Sequence, residues 1–242
     1  MDPIVAGFFS LVAGLVPIAI GVFSVGLLKG WEPSRRHPLS GVTVGILFAS
    51  FFDLMKETAG FSSGTLRGAI DALNVLLFST VLVGFYLYHR TLTRRGDGFS
   101  IAYLWAILGI GAHGFGEGII IGYDFATGFT VLSVAQVLSF VLHKLAEGLT
   151  VGVVLYSTRT KATHAILTSL VAGVPVGLGT LSGLAGLHGG TSTLFFAAAV
   201  GATIYVTASI LAPEAGRGRG FTLGVLTGFL YMFFAGVLHQ FG

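Results

Sequence analysis

Two ten-residue stretches of this sequence repeat one arrangement of residues that can bind a metal ion. Residues 113–122 read HGFGEGIIIG and residues 143–152 read HKLAEGLTVG, so each places a glutamate four positions after a histidine. Residues four apart lie on nearly the same face of an α-helix, with Cβ atoms about 5–6 Å apart, so each stretch offers a two-ligand face. Two imidazoles and two carboxylates converge where two such helices meet. We therefore predict a metal site at His113, Glu117, His143 and Glu147.

The predicted donor set favours a divalent transition metal. The chain contains no cysteine, which excludes both disulfides and a thiolate metal site. Imidazole nitrogen and carboxylate oxygen suit Zn²⁺, and they also accept Fe²⁺, Mn²⁺ or Cd²⁺, because such donors discriminate weakly among these ions. We expect Zn²⁺, bound as a substrate, with the other three ions as alternatives.

Lys144 directly follows one of the predicted ligands, within the same apolar stretch. Its ammonium group should point toward Glu117 or Glu147, or into a water-filled path. We interpret it as a tethered cation that replaces part of a second metal ion. The alternative is a lysine whose ammonium group extends to the membrane surface.

Glycines repeat with the ligands. Small residues four apart let two membrane helices approach closely, and each stretch contains such a pair. We predict that Gly118, Gly122, Gly148 and Gly152 allow the fourth and fifth helices to pack on each other.

The elements that position these residues are membrane helices. Of the 242 residues, 54% are hydrophobic and 10% charged, against about 25% charged in a typical soluble domain. Eight apolar segments approach the ~20 residues that a helix needs to cross a bilayer. They lie at about residues 4–28, 41–57, 69–89, 100–122, 130–156, 165–187, 191–213 and 221–240. We predict an all-α membrane protein with one transmembrane domain over residues 1–242, whose first segment stays as a spanning helix and is not cleaved.

Basic residues predict the orientation of the chain. Alternate loops hold ten lysines and arginines on one side and two on the other, Lys56 and Arg67. Under the positive-inside rule, both termini then face away from the cytoplasm. The basic pI of about 9.3 follows from this topology and predicts no nucleic-acid partner.

Two acidic residues near the end of the second helix are candidates for an access route. Asp53 and Glu57 lie on the non-cytoplasmic side and could attract a cation. An interfacial pair of solvated carboxylates is an equal alternative, because charge costs little near water.

The paired motifs resemble those of the ZIP (Zrt-, Irt-like protein) divalent metal transporters. The stretch GILFASFFDLMKE in the second helix is also similar to that family. The resemblance implies that the four predicted ligands form the transport site. It also implies an elevator-like movement of the first, fourth, fifth and sixth helices. The positions that hold a second metal in the family correspond to Gly114, Lys144 and Val174 here. These three residues depart from the ligands of the family pattern, which favours a mononuclear site.

We therefore predict a zinc transporter, not an enzyme, that moves metal toward the cytoplasm by alternating access. Its partners are the metal ion and the lipid bilayer, with a homodimer left open, and its expected location is the plasma membrane. Two alternatives remain. One is an intramembrane metalloenzyme, either a zinc hydrolase or a carboxylate-metal oxygenase. The other is a structural protein whose His–Glu contacts only join helices.

Overall fold

The computed structural model of the chain consists of α-helices and short turns at their ends in the residues that it describes. These residues are 3–27, 33–60, 67–93, 98–127, 134–157, 162–187, 189–214 and 218–239. The eight helices are α1 (Pro3–Leu27), α2 (Pro33–Gly60), α3 (Arg67–Thr93), α4 (Gly98–Ala126), α5 (Val134–Ser157), α6 (Ala162–Leu184), α7 (Gly189–Glu214) and α8 (Arg219–His239). The predicted all-α fold is confirmed.

Most of these helices can cross a membrane. Within the described residues, seven are long and apolar enough to span a bilayer. The apolar part of α3 is shorter, Asp71–Gly84, so the eighth crossing stays a prediction. Large apolar side chains such as Phe8, Val75 and Leu226 are exposed, as a surface that faces lipid requires.

Several helix boundaries differ from the sequence prediction, and two of these differences have identifiable reasons. The segment before residue 41 is not a loop, because α2 already begins at Pro33. Proline is well tolerated at the first helical position, where its missing N–H has no intrahelical partner. Helix α6 ends at Leu184 and not at residue 187. Gly186 has φ +100°, and the bonds from Leu187 N to Ser182 O and from Gly186 N to Gly183 O complete a glycine-dependent helix end.

The helices associate in two groups. Helices α1, α4, α5 and α6 form the first group, in which the broadest contacts are α4–α6, α1–α5 and α1–α6. Helices α2, α3, α7 and α8 form the second, with α2 against α8 and both α2 and α3 against α7. The groups meet mainly where α4 packs on α7 and α5 on α8. Both predicted ligand helices therefore belong to the first group and lie at its boundary with the second.

The contacts within and between the groups differ in kind. In the second group, a Cβ atom built on Gly45 of α2 would overlap the carbonyl oxygen of Val225 in α8, so these backbones touch directly. Between the groups, a Cβ on Gly109 of α4 would meet the methyl group of Ala202, and one on Gly116 would meet the ring of Phe196. Side chains of α7, and not its backbone, therefore form much of the α4–α7 contact.

Candidate metal centre

Four potential ligand atoms converge between α4 and α5. One atom each from His113, Glu117, His143 and Glu147 lies within 4.8 Å of the other three. His113 and Glu147 are buried, and the other two are half-buried. The structure thus brings together all four residues of the predicted site, inside an apolar bundle where each charged group is costly.

Four of the six distances within this cluster fit a tetrahedral ion. His113 Nε2 lies 3.2 Å from His143 Nε2, 3.1 Å from Glu117 Oε1 and 3.1 Å from Glu147 Oε1. His143 Nε2 lies 3.2 Å from Glu147 Oε1. Two ligands of one tetrahedral zinc ion are roughly 3.3 Å apart, since each bond is about 2.0–2.1 Å long. These four separations therefore match four of the six edges of a zinc coordination tetrahedron, and the other two, which involve Glu117, are no longer than 4.8 Å.

The glycines that follow the ligands do not join α4 to α5, so that part of the sequence prediction was wrong. A Cβ atom on Gly118 would overlap the carbonyl oxygen of Val176 in α6, and one on Gly122 would overlap that of Thr180. On α5, Gly148 faces the backbone of Ile18 in α1, and Gly152 faces that of Val22.

Helix geometry explains why the glycines of α4 and α5 face α6 and α1. Each glutamate is followed directly by a glycine, and successive residues point about 100° apart around a helix. The carboxylates of Glu117 and Glu147 can therefore face each other only if Gly118 and Gly148 face other neighbours. Helices α4 and α5 make little direct contact. They are held in place through α6 and α1, which pack on each other.

Lys144 lies inside the carboxylate pair. Its side chain has 0% exposure, and its Nζ forms ion pairs with Glu117 Oε2 and, at 2.8 Å, with Glu147 Oε2. The ring of Phe140 lies 5.6 Å from the same nitrogen. The lysine does not extend to the membrane surface, so that alternative is excluded.

Both carboxylates lie between the imidazoles and the ammonium group. Oε1 of Glu117 and of Glu147 faces His113, whereas Lys144 pairs with Oε2 of each and also donates to Oε1 of Glu147 at 3.0 Å. A Cβ atom built on Gly114 would lie 3.8 Å from Lys144 Nζ. The ammonium group thus lies beside a position that the family resemblance assigns to a second metal, and the carboxylates bridge it to the four-ligand cluster.

Asp53 lines a cavity that reaches this cluster. The cavity has a volume of about 280 Å³ between α2 and α8, and Asp53, Lys56 and His143 are among the residues that line it. The carboxylate of Asp53 is exposed. The side chain of Glu57 lies outside the described residues, so its place in an access route stays a prediction.

Three hydroxyl residues near the site were missed from the sequence. Ser50, Thr150 and Thr203 line a small cavity together with His113 and Glu147. Thr150 could have been found, since positions 143, 147 and 150 follow the i, i+4, i+7 spacing of one helix face. Ser50 and Thr203 lie on α2 and α7, and no spacing in the sequence relates them to the ligands.

Comparison with known proteins finds a similarity to a protein that is named as a transporter. No protein-family model matches the chain. A curated protein of Arabidopsis thaliana named "Putative zinc transporter" is 28% identical to it over 149 residues. The alignment covers 60% of this chain and 24% of that protein, so the chain spans about a quarter of the length of the relative that it matches. The name refers to the whole of that longer protein and not to the aligned part alone.

Proposed function

This chain is related to a zinc transporter and carries ZIP-like helix motifs, and from that premise we propose that it transports a divalent transition metal, most readily Zn²⁺, across a membrane. The observation that carries the proposal is the four-atom cluster of His113, Glu117, His143 and Glu147 in the middle of membrane helices. Four of its six edges, at 3.1–3.2 Å, suit a tetrahedral ion. Buried ionisable groups at this depth are the usual mark of an ion pathway.

The composition of the site favours one divalent ion at a time. Lys144 supplies a fixed positive charge to the Oε2 side of both carboxylates, where a second ion would otherwise bind. The ligands of the remaining mononuclear site are then the two imidazoles and the Oε1 atoms, of which that of Glu147 also accepts a hydrogen bond from Lys144 at 3.0 Å. Lys144 then acts as the tethered surrogate of the second cation.

The larger cavity supplies an access route in this proposal. The carboxylate of Asp53 attracts a hydrated cation, and the cavity of about 280 Å³ connects it to His143. By the distribution of basic residues, this end of α2 faces away from the cytoplasm. The metal then enters from that side, first meets His143, and is released toward the cytoplasm.

Alternating access requires one helix group to move against the other. Backbone contacts at Gly118, Gly148 and Gly152 hold α1, α4, α5 and α6 together as one unit. The contacts of α4 with α7 involve the Ala202 methyl group and the Phe196 ring, which can slide more easily than interlocked backbones. We assign α1, α4, α5 and α6 to the moving group, in an elevator-like transport cycle.

Two hydrogen bonds between α5 and α8 cross the boundary of the groups. Ser139 Oγ donates to the carbonyl oxygen of Ala235 at 2.7 Å, and the Tyr231 hydroxyl donates to that of Leu142 at 2.9 Å. Both lie within one turn of His143. In the proposed movement these bonds break in each cycle, because α5 moves relative to α8.

Flux into liposomes tests the function. The wild-type protein is reconstituted with a metal-sensitive dye inside the vesicles, and Zn²⁺, Fe²⁺, Mn²⁺ and Cd²⁺ are compared in competition. We expect Zn²⁺ flux that is lost in Glu117→Gln and Glu147→Gln. Asp124→Asn is the matched control, since it neutralises an exposed carboxylate on the same helix α4.

The same experiment separates the alternatives. Metal that is bound stoichiometrically without any flux would favour the metalloenzyme over the carrier. No bound metal in the wild-type protein would leave only the structural role for the His–Glu contacts.

A further inference from the structure

A second, smaller cavity adjoins the metal cluster. Its volume is about 20 Å³, and its lining includes His113, Glu147 and the hydroxyl residues Ser50, Thr150 and Thr203. His113, Glu147 and Thr150 belong to α4 and α5, whereas Ser50 and Thr203 belong to α2 and α7. Polar groups from both helix groups therefore meet at one point beside the ligands.

Thr150 differs from several buried hydroxyl residues within the part of the chain that the structure describes. Buried hydroxyls in membrane helices usually bond to the carbonyl oxygen four residues earlier. Ser169 and Thr180 do so here, at 2.9 and 3.0 Å. The Oγ1 atom of Thr150 is buried and has no hydrogen-bond partner among the described residues. Its hydroxyl is therefore available to a ligand in the cavity that it lines.

His113 has a matching requirement. Its Nε2 atom faces the other metal ligands, so with a metal bound there its Nδ1 atom must carry the proton. A metal-binding histidine almost always donates that second N–H to a carboxylate, a carbonyl group or water. Nδ1 of His113 is also buried without a partner among the described residues.

We infer that the small cavity binds one water molecule, which accepts a hydrogen bond from His113 Nδ1–H and is held by the hydroxyl of Thr150. A volume of about 20 Å³ fits one water, for which at least about 10–15 Å³ is needed. A buried water needs two to four polar partners, and the further polar residues in the lining are Ser50, Thr203 and Glu147. Thr150 is then a positioning residue that fixes the orientation of the His113 ring.

The inference deepens the proposed function and depends on it, since His113 has this requirement only as a metal ligand. It adds a link between metal affinity and conformation. The water contacts residues of both helix groups. Movement of one group against the other therefore changes the hydrogen bonds of the water that accepts from His113 Nδ1–H. The site then binds its ion more tightly in the conformation described here than in one that separates Thr150 from Ser50 and Thr203.

Zinc affinity of detergent-purified variants tests this role of Thr150. We expect Thr150→Val, which keeps the shape and removes the hydroxyl, to weaken Zn²⁺ binding about 10-fold or more. Thr150→Ser, which keeps the hydroxyl and removes a methyl group, should bind like wild type. Thr180→Val is the matched control, because Thr180 is equally buried but already bonds to Val176 O.

The zinc affinities of the Thr150 variants distinguish the water-mediated role of Thr150 from a packing role. Wild-type affinity in Thr150→Val would overturn the inference and leave the metal site intact. Weak binding in Thr150→Ser but not in Thr150→Val would assign Thr150 a packing role and also overturn it. Absence of Zn²⁺ binding by the wild type would instead reject the proposed function.

A density map that resolves water provides a second measurement, which does not depend on how the variants fold. The Zn²⁺-loaded wild type should show a peak about 3 Å from both Thr150 Oγ1 and His113 Nδ1. A map that resolves other buried waters but shows none at this point would contradict the inference.

Discussion

The ammonium group of Lys144 donates hydrogen bonds to both carboxylate oxygens of Glu147, at 3.0 and 2.8 Å. The two residues are three positions apart on α5, so one helix supplies both the negative ligand and its counter-charge. Because the lysine also pairs with Glu117 of α4, it connects the two ligand helices where their direct contact is small. The ion pairs therefore hold the site together as well as set its charge.

Lys144→Met should destabilise the metal-free protein strongly. Removal of one partner from a buried ion pair leaves an uncompensated charge and costs about 3–5 kcal/mol. Thermal unfolding in detergent should show a large fall in melting temperature without metal, and saturating Zn²⁺ should restore more stability to the variant than to wild type. Lys56→Met is the control, since Lys56 is exposed. Equal melting of metal-free Lys144→Met and wild type would refute this account.

Lys144→Asn tests whether the ammonium group replaces a second cation. The neutral amide leaves the Oε2 side of Glu117 and Glu147 without a positive charge, so a second metal ion gains two carboxylate oxygens as ligands. We expect an altered transport rate and altered competition among Zn²⁺, Fe²⁺, Mn²⁺ and Cd²⁺. If both rate and selectivity are those of wild type, Lys144 is not a surrogate for a metal.

Gly118→Ala should disrupt the packing of α4 on α6. The added methyl group would overlap the carbonyl oxygen of Val176, and backbone atoms cannot move aside as a flexible side chain can. Overpacking of this kind costs about 1–3 kcal/mol. Gly84→Ala is the matched control, because its Cβ would meet nothing within 4 Å. Melting temperatures should fall for the first variant and stay the same or rise for the second.

The sequence predicted those features that depend on spacing within one helix. Apolar length indicated the helices, and the four-residue spacing placed His113 with Glu117 and His143 with Glu147 on shared faces. Both expectations concern neighbours along the chain, for which helix geometry is fixed. The structure accordingly agrees with them.

Features that depend on the choice of neighbouring helix could not be predicted in the same way. The glycine repeat on α4 correctly indicated close packing but not its partner, which is α6. The hydroxyls of Ser50 and Thr203 reach the site from distant segments, and nothing in their local sequence distinguishes them from surface residues. Pro33 precedes the apolar run of the second segment, and a proline there is equally compatible with a loop and with the first position of a helix.

Opposite charges in the larger cavity should affect uptake in opposite directions. Asp53→Asn removes an attractive charge from the proposed access route and should raise the KM for Zn²⁺ uptake about twofold to fivefold at low ionic strength. Lys56→Gln removes a repulsive charge from the same cavity and should lower the KM. Neither change should alter kcat, and added salt should reduce both effects because it screens exposed charges.

The salt dependence separates an electrostatic role of Asp53 from a structural one. A loss of activity in Asp53→Asn that persists at high salt would indicate a structural role. If both variants shift the KM in the same direction, the cavity does not conduct the cation.

Acid should weaken both zinc binding and transport, because protons and the metal ion compete for the same atoms. Binding requires neutral imidazoles at His113 and His143 and ionised carboxylates at Glu117 and Glu147. As the pH falls, protonation of any of these groups removes a ligand, so affinity decreases, and as the pH rises affinity increases until all four are free of competing protons. Zn²⁺ affinity and liposome uptake, measured in parallel from about pH 7 to about pH 5, should therefore fall together.

Asp124→Asn should show the same profile as wild type, since that exposed carboxylate lies outside the cluster. Uptake that rises steadily toward acid pH while affinity falls would mean that release of the ion limits transport, and uptake that rises together with affinity would rule out these four residues as the ligands.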